Sequence, residues 1–171
     1  FQKGTPFVYQ GQEIGMTNWR PDSPELYADV QTRHEYQTAA LKKSPAERLH
    51  RLWRSSRDSA RTPVQWSDAP NAEEKDPQSL LHFYRRAIRL RKALPAVRYG
   101  RYREFYRLSD RLYVYARESA QQRLLIICSF TEKPVVFRAP GGYALEKGTL
   151  LLCNYPDADR HGNTFTTRPY E

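Results

Sequence analysis

Long hydrophobic runs are missing from this chain of 171 residues. The longest wholly apolar stretch is Leu124-Leu125-Ile126-Ile127-Cys128, far below the roughly 18 residues a membrane-spanning helix needs. No charged start leads into an apolar segment, so no secretory signal is visible. The chain opens on Phe1 rather than Met, which suggests a fragment or a processed chain. Cysteine is scarce. Cys128 and Cys153 make neither a C-x-x-C pair nor a zinc spacing. Both lie in apolar surroundings, so reduced core thiols are the first reading and a disulfide the second. His34, His50, His82 and His161 have no metal-ligand spacing and read as helix-face or loop residues. No metal site and no cofactor is expected. The absences together suggest a cytoplasmic protein with no membrane partner.

Acidic residues are also few. The 19 Asp and Glu are outnumbered by 28 Lys and Arg, leaving a net charge of +9. Mean hydropathy is −0.82. Leu, Ile, Val and Phe together stand near the roughly 20% level where highly charged chains cease to fold. An aromatic content of 13%, with twelve tyrosines, argues for a fold with a thin core. The cations are distributed over several predicted elements, and no nucleic-acid motif accompanies them. Specific nucleic-acid recognition is not expected; salt-sensitive adhesion is.

Periodicity divides the chain near residue 96. Thr5-Pro6-Phe7-Val8-Tyr9 reads as a short buried strand, followed by the glycine-punctuated turn Gln10-Gly11-Gln12-Glu13-Ile14-Gly15. A helix is expected from about Glu25 to Lys43, with Leu26, Val30, Tyr36, Ala40 and Leu41 as an imperfect apolar face. Ser44-Pro45-Ala46-Glu47 has the form of a capping box with proline at the first helical position, opening a helix that ends near Ser55-Ser56. Residues 57–70 read as an extended loop. Asp76-Pro77 opens another helix to about Ala93, with Leu80, Leu81, Tyr84, Ala87 and Ile88 as its stripe. Beyond it the period changes to two. Short strands are expected at 99–106, 112–116, 124–130, 135–137, 150–155 and 164–167, the pattern of a small antiparallel sandwich.

Two strings carry chemistry. Gly4 to Met16 presents Gln12 and Glu13 at the end of the first strand; Glu13 either faces a substrate or satisfies backbone donors in the turn. Ser56 to Trp66 carries two arginines, and an Arg fork can hold a carboxylate through two hydrogen bonds. Arg61 is thus either a carboxylate partner or a loop residue with no fixed partner. Trp66 reads as a loop anchor more readily than as a ring that stacks on a ligand.

These strings resemble, in order, the end of an α-amylase-type glycosidase (glycoside hydrolase family 13), most closely its oligo-1,6-glucosidase and α-glucosidase branch. Residues 4–16 resemble the eighth barrel strand and its turn. Tyr27-Ala28-Asp29-Val30 resembles the following helix start. Arg57-Asp58-Ser59-Ala60-Arg61-Thr62-Pro63-Val64-Gln65-Trp66 resembles the arginine signature of that branch. Residues 76–86 resemble the last barrel helix.

The resemblance implies an α/β fragment, the end of a TIM-type (β/α)8 barrel over residues 1–95, followed by an all-β antiparallel sandwich over 96–171. It implies a parent that hydrolyses terminal α-linked, α-1,6 above all, glucose of short oligosaccharides with retention. Trehalose 6-phosphate hydrolysis, or non-catalytic binding of carbohydrate or nucleic acid, are the alternatives. Arg61 would orient an upstream Asp at the floor of the glucose pocket, while Arg57 and Asp58 would brace the loop. Glu13 would line that pocket, and Gln31 stands near where several relatives close it with an acidic residue. A retaining glycosidase needs two carboxyl groups about 5–5.5 Å apart. The resemblance places both, with a third that stabilises the transition state, on earlier strands outside these residues. Glu13, Asp29 and Asp58 lack the flanks of those three, so no catalytic residue is assigned and the chain alone is expected to be inactive. Two departures stand out. The family's further loop after Ala72 is missing, and the chain stops at Glu171 where the family adds a strand.

Overall fold

A strand persists only where a neighbour completes its hydrogen-bond ladder, and a short helix only where its ends are capped. Those two demands account for most of the architecture of this computed structural model, which describes residues 1–39, 42–64 and 74–171. Two compact units form, one from Phe1–Phe7 with Glu73–Glu171, the other from Val8–Ala72.

The second unit is helical. A turn of 3-10 helix, Pro24–Leu26, is capped by the Ser23 side chain. Helix α1, Val30–Thr38, begins only at Asp29, whose carboxylate accepts from the Thr32 N–H. It is therefore shorter than the 25–43 expected. Pro24 and the extended Tyr27 hold the preceding residues in a separate turn. The expected apolar face is weak, since Val30 is 79% exposed; Ala40 and Leu41 lie outside the described residues. Helix α2, Pro45–Ser55, matches its sequence signal. Ser44 caps it and the Glu47 side chain returns to the Ser44 N–H and hydroxyl. Leu52 on its inner side is buried, as is Tyr27.

The capping box makes a testable contribution. Ser44→Ala is expected to destabilise the helical unit by about 1 kcal/mol in denaturant unfolding. The Ser44 backbone N–H, then its hydroxyl, hold the Glu47 carboxyl below its ordinary range. The stabilisation is therefore present above the ordinary carboxylate pKa and is lost as pH falls through the lowered folded value. Glu47→Gln should flatten that acid dependence; an unchanged pH profile would contradict the assignment.

Residues 5–9 form no strand. Phe7, Val8 and Tyr9 are 92%, 46% and 54% exposed, and among the described residues no strand lies beside them to build a ladder. The turn after Tyr9 is ordered by its own glycines. Gly11 and Gly15 both take left-handed backbone around the 3-10 turn Gln12–Ile14. A side chain at Gly11 would collide with Met16.

The first unit combines helix and sheet. Helix α3, Leu80–Ala93, starts three residues later than Pro77 suggested. Asp76 spends its carboxylate on the Gln78 N–H, and Ser79 caps the helix at the His82 N–H. Leu80 and Ile88 of its expected apolar stripe are exposed. Pro95 breaks it and opens the short helix α4, Pro95–Tyr99. Gly100 must be glycine, because a side chain there would collide with the Ala96 carbonyl.

Six strands among the described residues complete the unit. Strands β1 (Arg101–Phe105), β2 (Leu112–Glu118) and β3 (Arg123–Ser129) form an antiparallel sheet in the order β1-β2-β3. Strands β4 (Val135–Arg138), β5 (Asp159–His161) and β6 (Thr164–Thr167) form a second, in the order β4-β6-β5. One core cluster takes Leu112 and Val114 from the first sheet and Phe137 and Phe165 from the second. The chain is thus an α/β piece with two antiparallel sheets.

The strand expected at 150–155 is not formed. Strand β5, which the sequence pattern missed, takes the edge of β6 instead. Residues 153–155 are held by side chains: Asn154 donates to the Tyr170 carbonyl and the Tyr155 hydroxyl to the Pro169 carbonyl. Cys128 and Cys153 are free and half-buried. Burial raises both thiol pKa values.

Candidate functional site

The carboxylate of Asp58 is the centre of the helical unit. Its side chain is buried, and one of its oxygens, Oδ2, accepts from the backbone N–H of Ala28 at 2.8 Å and of Asp29 at 2.9 Å. Its own N–H is held by the Ser56 hydroxyl, which caps the 3-10 turn Arg57–Arg61. Asp58 therefore ties the arginine string to the entry of α1, 29 residues earlier. This matches the expectation that Asp58 braces the loop.

Arg61 ends that turn. Its guanidinium lies 3.3 Å from Asp29 Oδ1 and 3.3 Å from Asp58 Oδ1. It is not a loop arginine without a partner. Asp29 spends its other oxygen on the Thr32 N–H and hydroxyl, both at 2.9 Å. The Thr32 N–H, then its hydroxyl, and then the nearby Arg61 charge keep the Asp29 carboxyl below its ordinary range. The pair of acids is thus spent on structure and on Arg61, while the Arg61 side chain remains 58% exposed. A guanidinium anchored on one edge and open on the other can donate to an oxygen-rich ligand.

The remaining candidates fall nearby in sequence but differ in role. Glu13 is half-buried and accepts from the Gly11 N–H at 2.9 Å. Gln12 does the same for the Tyr9 N–H at 2.9 Å. Both therefore hold the glycine turn closed. Gln31 lies exposed on the first turn of α1, two residues after Asp29. Residues 65–73, which include Trp66 and Ala72, lie outside the described residues. The structure thus brings Arg61 together with Asp29 and Asp58, and leaves Gln31 on the surface.

The partnership of Asp29 with Arg61 was not legible in the sequence. Asp29 stands in a string that resembles the family's helix start and Arg61 in one that seeks a carboxylate, but nothing in their spacing joins them. An open depression of about 270 Å³ adjoins the turn, lined by residues including Tyr9, Gly11, Asn18, Ser59 and Thr62. The Tyr9 hydroxyl fixes one side by donating to the Ala60 carbonyl at 2.6 Å. Among the described residues no group of three or more His, Cys, Asp or Glu could hold a metal ion. No helix among them is long and apolar enough to cross a membrane.

Comparison with known proteins identifies the setting of this cluster. The family model for the alpha-amylase catalytic domain matches residues 1–100. The oligo-1,6-glucosidase of Halalkalibacterium halodurans is 36% identical across 99% of this chain and 34% of its own length. That of Parageobacillus thermoglucosidasius is 34% identical over the same shares. The crystal structure of trehalose-6-phosphate hydrolase from Bacillus licheniformis superposes with a TM-score of 0.88 at 31% identity, over 98% of this chain and 35% of that one. The chain therefore spans about a third of the length of the relatives it matches. The Halalkalibacterium alignment runs over 193 positions against a chain of 171, so the relative carries extra residues inside the matched span.

Proposed function

The chain belongs to the alpha-amylase family, and from that premise we propose that it is the C-terminal portion of a longer retaining α-glucosidase. Its substrate is terminal α-linked glucose, α-1,6-linked above all, on short oligosaccharides. The match to oligo-1,6-glucosidases along nearly the whole chain carries this reading. Arg61, held against Asp29 and Asp58 with one edge open, supports it as the guanidinium that the family's pocket requires.

Residues 1–95 supply the end of the catalytic barrel and residues 96–171 a C-terminal sandwich. The core shared by the two sheets supports the second assignment. Arg61, Gln31 and Glu13 contribute to substrate binding, Glu13 through the glycine turn that it holds closed. The enzyme uses no cofactor, binds no nucleic acid specifically and works in the cytoplasm. Hydrolysis with retention needs a nucleophilic carboxylate and an acid/base carboxyl a short distance away. Asp29 and Asp58 are engaged by backbone N–H groups and Arg61, which supports placing both catalytic groups in the rest of the enzyme.

The 171-residue chain alone is expected to release no p-nitrophenol from p-nitrophenyl α-glucoside. Turnover that survives purification by independent routes would overturn the assignment of catalysis to the rest of the enzyme. A second reading, trehalose-6-phosphate hydrolysis, is favoured by the superposition on an enzyme with that activity. The full-length enzyme should cleave isomaltose in preference to trehalose 6-phosphate; the reverse preference would select the second reading.

A further inference from the structure

A second concavity of the helical unit, about 730 Å³ in volume, shares none of the Asp29–Asp58–Arg61 cluster. Its floor is one face of α2. Glu47, His50, Arg51 and Arg54 fall at helical spacings of three, four and seven residues, so they share a face. That face is opposite in character to the buried Leu52. Arg20, Lys43 and Trp53 complete the lining.

The wall is fixed rather than loose. The Trp53 indole N–H donates to the Pro21 carbonyl at 2.8 Å, and the Asn18 amide donates to the Trp53 carbonyl at 3.0 Å. The His50 ring lies 4.3 Å from the Trp53 ring at a 35° tilt. The cations, by contrast, are only partly compensated, the Lys43 charge acting on the Glu47 carboxylate. Among the described residues none of Arg20, Lys43, Arg51 and Arg54 is in an ion pair. The one carboxylate of the groove, Glu47, is turned back onto Ser44 by the capping box.

Four cations line one concavity with a single carboxylate, Glu47, whose charge already meets that of Lys43, and the net positive potential left over attracts an anion. Arginine forks match the tetrahedral oxygens of a phosphate, and a lysine adds a point charge. An aromatic wall beside them suits the apolar face of a sugar ring. We propose that the groove bounded by α2, Arg20 and Lys43 binds a phosphate monoester, with a phosphorylated sugar as the ligand that uses both its cations and its aromatic wall. This site goes beyond the glucosidase reading and does not depend on it.

The test is calorimetric titration of the full chain, at constant ionic strength, with glucose 6-phosphate, inorganic phosphate and glucose. Saturable one-to-one binding is expected for the first two and none for glucose. Binding of glucose 6-phosphate tighter than inorganic phosphate, with the difference removed by Trp53→Phe, assigns the sugar to the aromatic wall; equal binding leaves phosphate as the ligand. Arg51→Gln with Arg54→Gln should weaken both by about tenfold or more, the scale of a lost charge-assisted hydrogen bond. Arg86→Gln with Arg89→Gln on the exposed face of α3 removes the same charge and should change nothing. Equal losses in the two double variants, no saturation by either phosphate ligand, or binding of duplex DNA alone with a steep salt dependence would each overturn the proposal.

Discussion

Asp58→Ala is expected to destabilise the helical unit by about 2–4 kcal/mol, because it strips the acceptor from two backbone N–H groups at once. Those groups, at Ala28 and Asp29, have Asp58 Oδ2 as their partner. The accompanying loss of the Arg61 contact adds little, since that guanidinium is more than half exposed and well screened. Asp58→Asn keeps an oxygen for both N–H groups and should cost roughly half as much or less. Denaturant unfolding measures the difference, and hydrogen exchange at the Ala28 and Asp29 amides locates it. If the alanine and asparagine variants lose equal stability, the charge rather than the acceptor is what matters, and the role given to Asp58 fails. The consequence for function runs through Arg61. With the turn released from α1, Arg61 loses its fixed relation to Asp29, so in the longer glucosidase proposed above KM should rise more than kcat falls.

The sheets provide the second large effect. Phe137 is fully buried and packs in the cluster with Leu112, Val114 and Phe165. Phe137→Ala should cost about 3–5 kcal/mol through lost burial and the cavity left behind. Its neighbour Val136 points to the opposite face of the same strand and is 69% exposed, so Val136→Ala should change stability by about 0.5 kcal/mol or less. Thermal or urea unfolding of the two variants side by side checks both. Comparable losses would mean that the face of β4 turned toward the core is misassigned.

The elements that the sequence announced are those whose signals are local. The capping box at Ser44 and Glu47 specifies α2 through atoms three residues apart. The β-rich apolar runs of β2 and β3 specify strands whose partners lie a short turn away, and Val114 pairs with Ile127 across them. Non-local signals were less legible. Thr5 to Tyr9 has strand composition, but composition supplies no neighbour, and Phe7 stands exposed. Leu150 to Tyr155 has it too, yet β5 occupies the available edge of β6 with the unpromising sequence Asp159-Arg160-His161. An edge strand three residues long with charged side chains carries almost no hydrophobic signal.

The candidate site divides in the same way. The Arg57–Arg61 string showed by resemblance that a carboxylate partner was to be expected. It could not show that the partner within this chain would be Asp29, because a contact spanning 32 residues depends on the packing of two turns. Gln31 was placed by its neighbours in sequence and ends on an exposed helix turn. The basic groove was wholly hidden. Arg51 and Arg54 read as an ordinary wet helix face until Arg20 and Lys43 arrive from other segments.

The sugar-holding role proposed for Arg61 requires this chain to be the last third of a longer glucosidase. The most direct measurement is the DNA sequence upstream of the codon for Phe1. The expected result is a continuous reading frame encoding the remaining two thirds of an alpha-amylase-type enzyme, its catalytic carboxylates included. A stop codon or an unrelated sequence immediately upstream would contradict the proposed function, and the role of Arg61 in holding sugar would fall with it.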